Sequence, residues 1–213
     1  MQSYQSDEEQ VEALKAWWDE NGKPLLIGIA LLLIGVFGYR FWIDRQLAQA
    51  EQASIRFALL QQLQQLDPEG AEAQLSSLQQ EFGSSHYALL GALTAAKMAV
   101  EAGDLAKAES GLRQALAQQP EPPYRDLVRL RLARIVLAQG QVPQAEEVLQ
   151  APFSEPFQAA VEELKGDIAL QKGDRQQAAA AYTRALQGLA ESVGRREIVQ
   201  MKLDDLALQE SAG

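Results

Sequence analysis

The chain has 213 residues, 47% of them hydrophobic and 23% charged, with no Cys, a single His and a formal net charge of −10. The apolar fraction suits a folded chain, and the wealth of Leu, Ala and Gln favours helix. Without cysteine there is no disulfide framework, thiolate zinc site or cysteine nucleophile, one histidine excludes a HExxH motif, and the acidic balance argues against nucleic acid, whose phosphates need clustered Lys and Arg.

Residues 1–23 carry six acids against Lys15 and Lys23. Val11, Leu14, Trp17 and Trp18 recur at helical spacing, which predicts a short amphipathic helix at a membrane surface. Its acidic face would repel anionic lipid, so a protein partner is expected. Asn21-Gly22 is expected to break this helix and Pro24 to open the next. Pro24 to Tyr39 is a run of 16 uncharged residues. Snorkelling by Arg40 extends it to 43, which gives 20 residues and about 30 Å of helix, enough to span a hydrocarbon core. Trp17 and Trp18 on one side, with Tyr39 and Trp42 on the other, read as interfacial anchors. The acidic flank and the distance to Ala48-Gln49-Ala50 argue against a cleaved signal peptide, so an uncleaved anchor over 24–43 is expected. Gly28, Leu31, Gly35 and Gly38 share one face, which suits either close packing with another membrane helix or plain lipid contact. Lys15 and Lys23 before the span nearly balance Arg40, Arg45 and Arg56 after it, so charge counting leaves the orientation open.

Residues 44–213 read as one helical domain. Leu47, Ala50, Ala53, Ser54, Phe57, Leu60, Leu63 and Leu66 form an apolar stripe, predicting a helix of roughly 40 residues that runs from the span to Leu66. With a turn at Asp67 to Gly70 and a helix over 71–82, it makes a degenerate first unit, 44–82. Three repeats follow, at about 86–120, 124–152 and 157–190. Each has a helix, a Gly turn, and Ala five residues after the Gly: Gly103 and Ala108, Gly140 and Ala145, Gly173 and Ala178. The Gly-to-Gly spacings are 37 and 33 residues. Leu112, Leu149 and Tyr182 stand four residues after each Ala, so a small residue admits the partner helix and a bulky one fills the adjoining space. Ala96, Ala133 and Gly166 take the small position of the leading helices. Gly supplies a left-handed C-cap, and Asp104 and Asp174 cap the following helices. This pattern resembles the tetratricopeptide repeat, although the consensus Trp is missing and the middle turn is Gly140-Gln141 with Pro143. The helix over 195–208 would cap the stack. The expected fold class is therefore all-α, a single N-terminal transmembrane helix followed by a tetratricopeptide-like solenoid of helical hairpins.

No phosphate-binding glycine motif, GxSxG or cysteine is present, so no catalysis, cofactor or metal is expected. His86 reads as a helix-cap or surface residue. Adjacent carboxylates (Glu8-Glu9, Glu146-Glu147, Glu162-Glu163, Asp204-Asp205) point in different directions on a helix and read as solvated. Binding is what stacked hairpins offer, on a concave surface lined by their first helices. The repeat phase puts Leu90, Leu93, Lys97 and Val100 there, then Leu127, Leu130, Arg134 and Leu137, then Glu163, Asp167 and Leu170. Alternatively, several of these leucines are inter-repeat core or lie under the helix at 44–66.

The whole chain also resembles the YfgM family. The resemblance rests on Gln10-Val11-Glu12-Ala13, Trp17-Trp18 and Glu20-Asn21-Gly22-Lys23 before the span. Arg131-Leu132-Ala133-Arg134 and Gln200-Met201-Lys202-Leu203 carry it further along. It implies a bacterial inner-membrane protein with a cytoplasmic N-terminus and a periplasmic repeat domain. It also implies an ancillary role at the SecYEG translocon, with the membrane-anchored chaperone PpiD and emerging secretory clients as partners. A tethered scaffold for another periplasmic assembly, such as cytochrome maturation, is the alternative.

Overall fold

The computed structural model describes residues 3–189 and 193–211; the expected end of the third repeat, residue 190, lies outside them. Every regular element among these residues is helical. The chain divides into two compact units, Met1–Gln52 and Ala53–Gly213.

The first unit is the N-terminal part of α1, Ser3–Leu66. The apolar side chains from Leu25 to Trp42 are exposed, and none of the most apolar stretch is buried by protein. A core helix of a water-soluble protein would be covered, so this surface suits lipid. The expected break at Asn21-Gly22 is absent, because the backbone stays helical through both residues and through Pro24. Asn21 turns its amide back to the Trp17 carbonyl, 3.1 Å away. The Trp18 indole covers Gly22, where a Cβ would sit 3.0 Å from Trp18 Cε2. Pro24 lacks an N–H, which leaves one helical bond unmade without stopping the helix.

In the second unit, α2 (Pro68–Phe82) follows the end of α1 after a single non-helical residue. Asp67 caps it, accepting from Gly70 N at 3.0 Å, and Pro68 occupies its first turn, so the turn is tighter than the expected four residues. Three hairpins come next: α3 (His86–Glu101) with α4 (Leu105–Ala117), α5 (Pro122–Ala138) with α6 (Val142–Gln150), and α7 (Gln158–Gln171) with α8 (Arg175–Gly188). α9 (Val193–Ser211) packs on α8.

The three hairpin turns share one geometry. Gly103, Gly140 and Gly173 have φ of 78°, 78° and 81°. In each, the residue after Gly donates its N–H back to the last turn of the first helix: Asp104 to Ala99, Gln141 to Val136, Asp174 to Ala169. These are Schellman caps, and only Gly enters the left-handed region without strain. Asp104 and Asp174 accept from Lys107 N (2.8 Å) and Gln177 N (2.9 Å), as the sequence predicts, whereas Gln141 makes no side-chain cap.

Burial follows the repeat phase. Ala108, Ala145 and Ala178 are fully buried, with Leu112, Leu149 and Tyr182 beside them and Ala96, Ala133 and Gly166 opposite. Gly166 has a specific reason for being Gly: a Cβ there would lie 2.5 Å from Tyr182 Cδ1 and closer still to Cε1. Where the bulky residue is an aromatic ring, the facing helix can offer no side chain at all.

The connection from α6 to α7 holds a feature that the repeat pattern does not contain. Asp126 on α5 is buried and accepts from Ser154 N (2.8 Å) and Ser154 Oγ (2.6 Å). Arg129, one turn on, donates to the carbonyls of Val148, Ala151 and Pro152 and lies 3.9 Å over the Phe153 ring. The two charges pin the 151–154 segment before the 3-10 turn Glu155–Phe157.

Candidate functional site

The first helices of the hairpins build a groove with two recesses. The smaller, about 340 Å³, is floored by Leu93, Ala96, Val100, Leu112 and Ile135 and edged by Lys97, Glu101, Arg131 and Arg134. The larger, about 790 Å³, is lined by Leu127, Leu130, Phe157, Ala160 and Leu189, with Arg131, Arg134 and Arg195 at its edge. The two recesses share Arg131 and Arg134. Four predicted surface residues, Leu93, Lys97, Val100 and Arg134, thus meet in one recess, and Leu127 and Leu130 join Arg134 in the other. Leu93, Leu130 and Leu137 are buried in the repeat core, so their exposed area is small. Leu90 packs half-buried against that core, and Leu170 is exposed but lines neither recess.

Glu163 and Asp167 belong to a charge network with α9. Glu163 is buried and takes Arg195 at 2.9 Å, Lys202 at 3.0 Å and Arg134 at 3.9 Å. Lys202 also reaches Asp167 at 2.7 Å, and Asp167 accepts the Tyr182 hydroxyl at 2.7 Å. Burial pushes the Glu163 carboxyl up, but Lys202 and Arg195 outweigh it and hold the group below the usual carboxylate range. Burial and then Asp167 raise the Tyr182 phenol. The expectation that the Glu162-Glu163 pair is solvated is therefore corrected: Glu162 is also partly buried, at 2.6 Å from both Lys165 and Arg184. Neighbouring carboxylates on a helix do diverge: Glu162 meets Lys165 one turn on and Arg184 from α8, and Glu163 meets cations from α5 and α9. The signal in the sequence was Arg195 and Lys202, seven residues apart on one face of the last helix.

In the first unit, Trp17, Trp18, Tyr39 and Trp42 are exposed, and the Tyr39 and Trp42 rings stand 6.4 Å apart. Beside exposed Leu31, a Cβ added at Gly28, Gly35 or Gly38 would meet nothing within 4 Å, so this face is open. His86 is exposed and stacks near Tyr124, with ring centroids 5.1 Å apart. Among the described residues, no cluster of three His, Asp or Glu could hold a metal.

The model of the tetratricopeptide repeat-like domain family matches residues 15–208. An ancillary SecYEG translocon subunit of Haemophilus influenzae is 33% identical, over 94% of this chain and 97% of its own. The one of Aggregatibacter actinomycetemcomitans is 32% identical, over 94% and 97%. The one of Escherichia coli is 29% identical, over 98% and 100%. No solved structure matches. The exposed apolar helix and a relative named as a translocon subunit both fit a single-pass membrane protein. With a repeat phase read from three Gly turns, its packing borne out by burial, and relatives aligned nearly end to end, the chain belongs to the tetratricopeptide repeat-like YfgM family, whose members carry the name ancillary SecYEG translocon subunit.

Proposed function

We propose that this protein is a non-catalytic accessory subunit of the SecYEG translocon that works by presenting its repeat unit to other proteins. The observation that carries this reading is the near-complete alignment with relatives bearing that name. The groove along the first helices agrees with it, since it offers apolar recesses and fixed charges rather than reacting groups. In this reading the N-terminal segment is cytoplasmic and residues 44–213 are periplasmic. The partners are a PpiD-like membrane-anchored chaperone and emerging secretory or envelope proteins.

Photocrosslinking in vivo from the exposed recess residues Lys97, Val100 and Arg131 tests the partners. Adducts to SecYEG or the chaperone are expected; adducts only to cytochrome-maturation proteins would transfer the protein to a different assembly. The cysteine-free chain makes orientation directly measurable. Gln150→Cys should react with a membrane-impermeant maleimide in intact spheroplasts and Gln10→Cys only after lysis. The reverse pattern would overturn the proposed topology.

A further inference from the structure

The repeat unit is acidic, yet its groove is basic. Residues 53–213 hold 21 acidic and 15 basic side chains, net −6. Helix α5 runs against this balance, with Arg125, Arg129, Arg131 and Arg134 against Asp126 alone. Arg129 is engaged by the 151–154 segment, while Arg131 and Arg134 stand where the two recesses meet. Arg131 makes no hydrogen bond or ion pair among the described residues. Arg134 Nη2 is buried without a hydrogen-bond partner. Its nearest carboxylate, Glu163 at 3.9 Å, is already held more closely by Arg195 and Lys202. Burial first, and then the charge of Arg195, push the Arg134 guanidinium below its ordinary range. An incoming carboxylate supplies the acceptor that buried Arg134 Nη2 lacks, the exposed fork of Arg131 stands beside it, and Glu101, at the edge of the smaller recess, is held by Lys97 at 3.6 Å; planar guanidinium forks match carboxylates.

We propose that the groove binds an acidic peptide segment of a partner protein. Two neighbouring carboxylates meet Arg131 and Arg134, and one apolar side chain on each flank fills a recess. The spacing follows from the geometry, because the arginine pair lies between the floor at Leu93 and Val100 and the floor at Leu130 and Leu189. This narrows the reading of the protein as an interaction module to one chemical class of partner, and it rests on that reading. The net charge of the unit keeps such a segment from binding elsewhere, so selectivity comes from the contrast between groove and surroundings.

The test uses the full chain in zwitterionic nanodiscs and fluorescence anisotropy with three labelled peptides: Leu-Ser-Glu-Glu-Ser-Leu, its Gln-Gln counterpart and its Lys-Lys counterpart. The Glu-Glu peptide should bind at least about tenfold tighter than the Gln-Gln peptide, with an affinity that falls as salt rises. Exposed Arg131→Glu should lose at least about tenfold for the Glu-Glu peptide and gain binding of the Lys-Lys peptide. Arg113→Glu, on α4 and lining neither recess, should change neither. Equal binding of the three peptides, or unchanged selectivity in Arg131→Glu, overturns the proposal. Co-purification with the translocon is scored separately on the same membranes. Lost selectivity with intact co-purification removes the acidic segment alone, whereas a wild-type chain that does not co-purify removes the translocon role.

Discussion

The close approach of α7 and α8 at Gly166 makes a sharp prediction. Gly166→Ala adds a methyl that would sit 2.5 Å from Tyr182 Cδ1, so the ring must shift by roughly 1 Å or more to reach ordinary contact. Tyr182 is fully buried and its hydroxyl is tethered to Asp167 at 2.7 Å, so it cannot swing aside freely. Overpacking of this kind costs about 1–3 kcal/mol, and a strained hydrogen bond to a carboxylate about 1–2 kcal/mol more. Against this stands the better helix propensity of Ala, about 1 kcal/mol. The net expectation is a loss of about 1–4 kcal/mol, or roughly 2–16 °C in melting temperature for a unit of this size. Gly111→Ala is the control: Gly111 also lies inside a helix, α4, but its Cβ would meet nothing within 4 Å. It should gain about 1 kcal/mol and melt roughly 2–4 °C higher. Thermal unfolding of the full chain in detergent micelles, followed by far-UV circular dichroism, reads both variants. In a Tyr182→Leu background the Gly166→Ala penalty should vanish, which ties it to the ring. Two equal shifts of the same sign would refute the packing argument.

Asp126→Ala should cost about 2–4 kcal/mol, because it removes two hydrogen bonds from Ser154 to a buried carboxylate and the counter-charge of partly buried Arg129; limited proteolysis should then cut within 151–154, and an unchanged cleavage pattern would contradict this. The docking of α9 should depend on acid. Glu163 titrates lower in the folded state than unfolded, so its contribution is complete above about pH 5 and drains away as pH falls below about 4. Hydrogen-exchange protection factors over 195–206, corrected for the intrinsic pH dependence of exchange, should fall in that window and hold at pH 6–8; protection that is flat down to pH 3 would show that apolar packing alone holds the helix. Leu32→Arg, in the middle of the exposed apolar stretch, should impair insertion by about 2.5–3.5 kcal/mol. Undiminished recovery in the membrane fraction would argue against a simple span.

Much of the architecture was legible in the chain because its signals are local. A run of 16 uncharged residues, glycines 37 and 33 apart and Ala five residues after each Gly depend only on helix geometry and on the φ that Gly alone tolerates. The same locality explains why the break expected at Asn21-Gly22 is absent. Turn propensity there is real, but Trp18 lies over Gly22 and Asn21 bonds back to the helix. That competition depends on side-chain placement rather than on residue type.

The amino-acid sequence by itself determined the helical class, the repeat phase, the buried Ala positions and the apolar span. These follow from periodicity and from steric rules that act within a few residues. Tertiary structure alone decided which charges meet. Glu163 and Lys202 are 39 residues apart, as are no features of any repeat, and Asp126 finds Ser154 across 28. Such pairings are set by how one hairpin stacks on the next, since burial makes a charge find a counter-charge wherever the fold delivers it. Helix geometry sets Arg131 and Arg134 side by side on α5, but stacking decided which carboxylates approach them: Glu163 reaches Arg134 only at 3.9 Å, and Glu101, at the edge of the smaller recess, is held by Lys97 at 3.6 Å.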